Sequence, residues 1–304
     1  MSDNAFPPIP LQTWRASAHA YVHDGCEIAW YGDEAAAPDK PDLLIIHGFP
    51  TAAWDFSRIW AALSERYRLI APDLVGFGES AKPRDRDYAI TDQADLCAGL
   101  LAERGVQRCH VLAHDYGDTV AQELLARFNR GEGGPALGSV CFLNGGLFPE
   151  THHATFMQRV LHSPLGGLVS RLMSRKRFDA GFSLVFAEDT KPSRAELDAF
   201  WSLLMANGGM PPIGHKLIRY IAERRAKRER WVGALIEAKI PLRVIDGADD
   251  PVSGAHMVER YRELVPDPDT VLLDGVGHYP QWEAPGRVLD AFLDFQSAAE
   301  NAAD

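Results

Sequence analysis

Val111-Leu112-Ala113-His114-Asp115-Tyr116-Gly117-Asp118 is the stretch whose reading decides the fold. Cys109-His110-Val111-Leu112-Ala113 has the apolar character of a buried strand, and residues 119–127 carry a helical pattern. Between them lies a small residue, one spacer, a carboxylate, a second spacer and a glycine. A strand that enters a helix through so short a turn leaves the central residue in an unfavourable backbone conformation and needs small neighbours. The helix N-terminus that follows favours negative charge beside it. Outward from this turn, five more short runs rich in Val, Ile and Leu end in turn formers. They are Leu43-Leu44-Ile45-Ile46, Arg68-Leu69-Ile70-Ala71, Val140-Cys141-Phe142-Leu143, Leu242-Arg243-Val244-Ile245 and Thr270-Val271-Leu272-Leu273. Such runs are the signature of strands buried on both faces of a mostly parallel sheet. Helical patterns fill the gaps at 54–66, at 91–103 with Thr91 as its cap, and at 119–127. Residues 14–32 alternate more weakly and predict an antiparallel edge pair. Strand–helix alternation defines an α/β fold class.

Residues 149–235 break the rhythm. They hold Pro149, Pro164, Pro192, Pro211 and Pro212, two glycine pairs, and helical stretches near 194–206 and 215–230, with no clear strand run. The expected organisation is a core of residues 1–148 and 236–304, with a helical cap inserted at 149–235. The run Glu223-Arg224-Arg225-Ala226-Lys227-Arg228-Glu229-Arg230 reads as a solvated helix face. Residues 297–304 are expected to fray. The composition is 46% hydrophobic and 24% charged over 304 residues, which excludes disorder and fibres. A net charge of −11 argues against nucleic acid as a partner. No apolar run suits a bilayer, the opening residues do not resemble a secretory signal, and four scattered cysteines read as free thiols. These features predict a cytoplasmic protein with no transmembrane segment. Whether it works alone or as a homodimer is left open.

The turn at Asp115 has the spacing of the nucleophile elbow of α/β-hydrolases, with Asp where esterases carry Ser. The plain alternative is that Asp115 only caps the next helix. An aspartate nucleophile forms an ester that water must cleave, which calls for a general base such as His. His278, in Gly275-Val276-Gly277-His278, follows the last apolar run. Asp246-Gly247-Ala248-Asp249-Asp250 follows the run before it and supplies the orienting acid: Asp250 by its place after the glycine, with Asp249 as the fallback. The order nucleophile, acid, His is the one this fold uses. His47-Gly48-Phe49-Pro50 follows the first buried run, and the backbone N–H groups of Phe49 and Tyr116 are candidates for an oxyanion hole. His47 is expected to shape that loop and border the pocket. Gly76-Phe77-Gly78-Glu79-Ser80 lacks a P-loop ending and opens no helix, so it reads as a loop after a strand. No cofactor fingerprint and no metal-ligand cluster is visible, so neither a cofactor nor a metal is expected.

His47-Gly48-Phe49-Pro50, His114-Asp115-Tyr116-Gly117, Asp250-Pro251-Val252 and Gly277-His278 resemble the epoxide hydrolase and haloalkane dehalogenase branch of the α/β-hydrolases. Within it, Asn144-Gly145-Gly146, Phe148-Pro149-Glu150-Thr151-His152, Arg230-Trp231-Val232-Gly233 and His278-Tyr279-Pro280-Gln281 are similar to the mesoderm-specific transcript group. The resemblance implies a mostly parallel sheet with an inserted helical cap, Asp115 as nucleophile, Asp250 as acid and His278 as base. Epoxide opening also needs an acid from the cap. Tyr220 is the tyrosine available there, with His152 as a second donor, although Lys216 stands nearer the usual place. Asn144 and Trp201 are further pocket candidates, within apolar walls drawn from Phe148, Phe156, Leu161, Leu168, Phe182 and Phe186. His153 and His162 are expected to face solvent. Tyr116 and Phe49 stand where dehalogenases place halide-binding Trp and Asn. The leading expectation is hydrolysis of a small uncharged epoxide to a diol. The alternatives are a haloalkane dehalogenase with halide held by Trp201 or backbone donors, an ester or lactone hydrolase, and a binding protein on the same scaffold.

Overall fold

The computed structural model describes residues 6–34, 39–153, 156–161, 163 and 166–301. Eight strands form one sheet: β1 (His19–His23), β2 (Cys26–Gly32), β3 (Asp42–Ile46), β4 (Arg68–Pro72), β5 (Arg108–His114), β6 (Ala136–Leu143), β7 (Leu242–Gly247) and β8 (Thr270–Leu273). Their order is β1-β2-β4-β3-β5-β6-β7-β8. β1 and β2 make the expected antiparallel edge pair, and β2 runs antiparallel to β4. All the remaining pairs are parallel. Leu43 to Ile46 and Val111 to Ala113 are fully buried, and each such aliphatic side chain contributes about 1.5–3 kcal/mol relative to exposure.

The parallel register brings the carboxyl ends of neighbouring strands to one edge. Ile46 pairs with Ala113, His114 with Leu143, Leu143 with Ile245, and Gly247 with Leu273. The loops after β3, β5, β6, β7 and β8 therefore share that edge, where open α/β sheets bind their ligands. Helices Ile90–Glu103 and Tyr116–Arg130 pack together, and Pro285–Asn301 packs on β6 and β7.

Seven α-helices, one 3₁₀ turn and no strand lie between β6 and β7 among the described residues. The last of them, Arg228–Ile236, packs on Tyr116–Arg130. Glu123 secures that contact: its carboxylate accepts Trp231 Nε1–H at 2.8 Å, Arg230 Nε–H at 2.7 Å and Arg127 Nε–H at 2.9 Å.

Several local expectations change. The pattern at 54–66 splits into a 3₁₀ turn, Ala53–Phe56, and a helix, Trp60–Arg66. Asp73 holds the turn by accepting Ala53 N–H at 2.8 Å. Thr91 does not cap its helix, which begins at Ile90 and donates the Ile90 N–H to Glu223 of the insertion at 3.0 Å. The pattern at 215–230 forms short helices, Gly214–Leu217, Tyr220–Ala226 and the start of Arg228–Ile236. The C-terminal helix continues to Asn301, held by buried Val288, Phe292 and Phe295; residues 302–304 lie outside the described residues. Loop 76–80 is a turn after β4, tied by Glu79 N–H to Asp73 at 2.8 Å. The four cysteines are free and buried. No described helix is long and apolar enough to cross a membrane.

Candidate active site

Asp115 ends β5 and precedes helix Tyr116–Arg130 with φ 48° and ψ −103°. A left-handed φ is costly for a residue with a side chain, and it turns this one sharply off the strand axis. The turn closes because Gly117 has no side chain: a Cβ there would meet the carbonyl oxygens of Ile46 at 2.4 Å and His47 at 2.7 Å. Asp115 is buried, 3% exposed, and its Oδ2 accepts the Phe49 N–H at 3.0 Å. Tyr116 is the first residue of the helix, where backbone N–H groups have no partner inside the helix.

His278 faces the other carboxylate oxygen, with Nε2 3.9 Å from Asp115 Oδ1. Its Nδ1–H donates to Asp250 Oδ2 at 2.8 Å. Burial works against an imidazolium here, but the Asp250 carboxylate outweighs it and Asp115 adds to the effect, which lifts the His278 pKa to about 9. Burial likewise opposes charge on Asp250, yet His278 and four other donated hydrogen bonds lower its pKa overall. Those come from Val252 N–H, Ser253 N–H, Ser253 Oγ–H and Asn144 Nδ2–H. Asp249, the fallback acid, is exposed and its side chain takes no part in this network.

The His278 loop is also fastened to the insertion. His278 N–H donates to Val185 O at 2.8 Å. Buried Glu283 accepts Gly277 N–H and Tyr279 N–H, each at 2.9 Å, and Ala187 N–H at 3.0 Å. Sequence reading missed Glu283, because a glutamate in a helix carries no signal of such work. Tyr279 stacks on Phe186 with centroids 4.9 Å apart and lies 5.2 Å from Phe182, forming an aromatic wall beside His278.

The remaining candidates fall into two groups. Tyr220 is 1% exposed and reaches the Asp115 side of the site, its ring 5.0 Å from Tyr116 and 6.4 Å from Phe49. Burial and then the Asp115 charge push its phenol pKa up, so the hydroxyl keeps its proton. His152 buries both ring nitrogens; burial and then Arg224 lower its pKa to about 3.

His47, which holds its loop as expected, and Asn144 spend their polar atoms within the protein, and Trp201 packs inside the insertion. His47 spends both nitrogens on backbone, donating from Nδ1 to Gly48 O at 2.9 Å and accepting Leu74 N–H at Nε2 at 3.0 Å. Asn144 gives its amide to Asp250 and to the Gly247 backbone. Trp201 packs on Phe178 and Arg175 within the insertion, whereas its neighbour Phe200 turns inward to Tyr279 and Trp282. One position along a helix rotates a side chain by about 100°, which periodicity alone could not resolve here. Lys216 donates to Arg86 O at 3.0 Å. Leu168 is exposed rather than lining a pocket, and His153 is exposed and stacks on His256. His162 and the side chain of Phe156 lie outside the described residues. Arg224, expected on a solvated face, is 2% exposed and donates from Nη2 to Asp115 O at 3.0 Å.

An elbow aspartate, a His–Asp pair and a backbone donor at the ends of β5, β7, β8 and β3 are the parts of a hydrolase. The alpha/beta hydrolase family model matches residues 43–291, and the chain belongs to that family. It is 40% identical to the mesoderm-specific transcript homolog protein of Bos taurus, over 94% of this chain and 87% of that protein. Haloalkane dehalogenase 2 of Mycobacterium bovis is 24% identical, over 92% of this chain and 93% of that protein. Haloalkane dehalogenase DbeA from Bradyrhizobium elkani has the same fold, with a TM-score of 0.77 at 23% identity, covering 94% of this chain and 99% of that chain.

Proposed function

We propose that the chain is an epoxide hydrolase that works through a covalent ester on Asp115, with residues 149–235 as the cap over its site. The observation that carries this reading is the pinning of Asp115 between Phe49 N–H at 3.0 Å and His278 Nε2 at 3.9 Å. The two carboxylate oxygens then have different tasks. Oδ1 attacks an epoxide carbon, the ring C–O bond breaks, and the ring oxygen takes the proton of Tyr220. Alkylation removes the Asp115 charge, which is one of the causes that hold His278 protonated. His278 releases that proton to solvent, to be regained when the Asp115 charge returns, and as a base takes a proton from water while hydroxide adds to the ester carbon. Oδ2 carries the resulting oxyanion, stabilised by the N–H groups of Phe49 and Tyr116. Collapse expels the diol oxygen, which takes the proton back from His278. The carboxyl proton left on Asp115 returns Tyr220 to its starting state. Asp250 holds the imidazole orientation throughout.

The aromatic wall of Phe182, Phe186 and Tyr279 suits an apolar substrate body. A dehalogenase would share the chemistry at Asp115, but Trp201, the indole proposed to hold halide, packs on Phe178 instead. The test is a His278→Gln variant mixed with styrene oxide and analysed by mass spectrometry. The expected result is an adduct of the epoxide on the peptide that contains Asp115. Halide release from 1-bromobutane without any epoxide adduct would identify a dehalogenase. An ester hydrolase would turn over p-nitrophenyl esters and leave the epoxide untouched. Absence of a covalent adduct with any of these substrates would leave a binding protein.

A further inference from the structure

Two arginines are buried among the described residues, and they are solved differently. Arg68 is paired with Asp42 and also donates twice to Arg104 O. Arg224 has no carboxylate partner within ion-pair distance among the described residues, although a buried cation without a counter-charge is costly. Its guanidinium is nevertheless held firmly. Nε donates to Thr119 Oγ1 at 2.7 Å, Nη2 donates to the Asp115 carbonyl at 3.0 Å, and the group lies 4.6 Å over the Tyr220 ring. Nη1 is left over: buried and without a partner among the described residues. Both ring nitrogens of His152 are in the same condition.

Gly146 brings these groups together. A Cβ at that position would lie 2.3 Å from Arg224 Nη1 and 3.1 Å from His152 Nδ1, so both converge on one point of the β6 loop. Asp118 lies by the adjoining Gly145, but its carboxylate oxygens make no hydrogen bond to Arg224 among the described residues. Burial, with Asp246 and Asp115 alongside, raises the Asp118 pKa well above the usual range against the pull of Arg224. Arg224 Nη1 and the His152 ring therefore stand beside Asp115 with no hydrogen-bond partner among the described residues.

We infer that Arg224 and His152 bind a carboxylate carried by the substrate, so that the enzyme takes acidic epoxides rather than the uncharged ones expected from sequence. One carboxylate oxygen accepts from Arg224 Nη1 and the other from the single N–H of neutral His152. A hydroxyl or amide would fill the hydrogen bonds but leave the guanidinium charge uncompensated. The inference borrows the identity of the reacting ring from the proposed function; the binding of the acid group stands apart from it.

The test uses ligands that do not react. The full chain is titrated calorimetrically with phenylacetate and with phenylacetamide, which has the same shape without the charge. The expected result is binding of the acid at least about ten-fold tighter than the amide, with that preference lost in Arg224→Met and partly kept in Arg224→Lys. Equal binding of acid and amide, no binding of the acid, or an undiminished preference in Arg224→Met would overturn the inference. Folding of the variant is checked by circular dichroism. If Arg224→Met does not fold, His152→Leu takes its place, and an unchanged acid preference there has the same adverse meaning. A clear acid preference together with no adduct on Asp115 would sink the proposed reaction and leave the carboxylate site standing.

Discussion

Asp115 carries the strain of the site and, in the proposed function, its chemistry. Its backbone conformation, φ 48° and ψ −103°, costs about 1–3 kcal/mol, which the surrounding strands, Gly117 and helix must hold in place. That Asp115, Asp250 and His278 come together was legible because each follows a short apolar run ending at one edge of the sheet. Arg224 was not legible, since a buried arginine within a run of mixed charge looks the same in sequence as a solvated one. His47 shapes its loop through backbone hydrogen bonds as expected, whereas the bonds from Asn144 to Asp250 and the Gly247 backbone could not be read from sequence. Tyr220 gives the sharpest single-residue prediction. Tyr220→Phe keeps the ring packing on Tyr116 and removes the proton donor, so alkylation of Asp115 in a single-turnover experiment should slow roughly 100- to 10,000-fold. An unchanged alkylation rate would remove Tyr220 from the mechanism.

At the scale of elements, strands were easier to read than helices. Runs of Val, Ile and Leu buried on both faces name themselves, whereas helix ends depend on contacts made from elsewhere. The Ile90–Glu103 helix begins where Glu223 reaches its first N–H from a segment distant in sequence. The join between helices Tyr116–Arg130 and Arg228–Ile236 is similar, since it turns on one glutamate. Burial opposes the Glu123 charge, but hydrogen bonds from Arg230, Trp231 and Arg127 prevail and hold its pKa at about 2 against an ordinary 4.5. A depressed folded pKa stabilises the fold above the unfolded value, and that contribution fades as pH falls through the folded one. Urea unfolding should therefore lose about 2 kcal/mol from this group between about pH 5 and about pH 2, allowing for solvent screening of its partners. The same acid scan on Glu123→Gln should show a correspondingly smaller loss. Equal acid sensitivity in the two proteins would show that the join does not depend on this charge.

For the whole molecule, the insertion and the sheet act together on one base. Val185 and Glu283 fasten the His278 loop to the insertion, and Asp250 fixes its imidazole from the sheet side. With its pKa raised to about 9 in the folded chain, His278 contributes stability that is fully present below about pH 6.5 and is lost as pH rises through about 9. That contribution is at most about 3 kcal/mol. Urea unfolding of the wild type should weaken across this window more than that of His278→Gln, and parallel curves would contradict the pairing. Catalysis has the opposite sign. Hydrolysis of the ester needs neutral His278, so its rate should rise with pH and level off below about 9, because the alkylated Asp115 no longer adds its charge.

The central claim is that a carboxylate oxygen of Asp115 becomes part of the product and is replaced from water. A single turnover of styrene oxide in heavy-oxygen water, with enzyme in excess, tests it most directly. The account predicts label in the peptide containing Asp115 and none in the diol; label in the diol with an unlabelled Asp115 would contradict it.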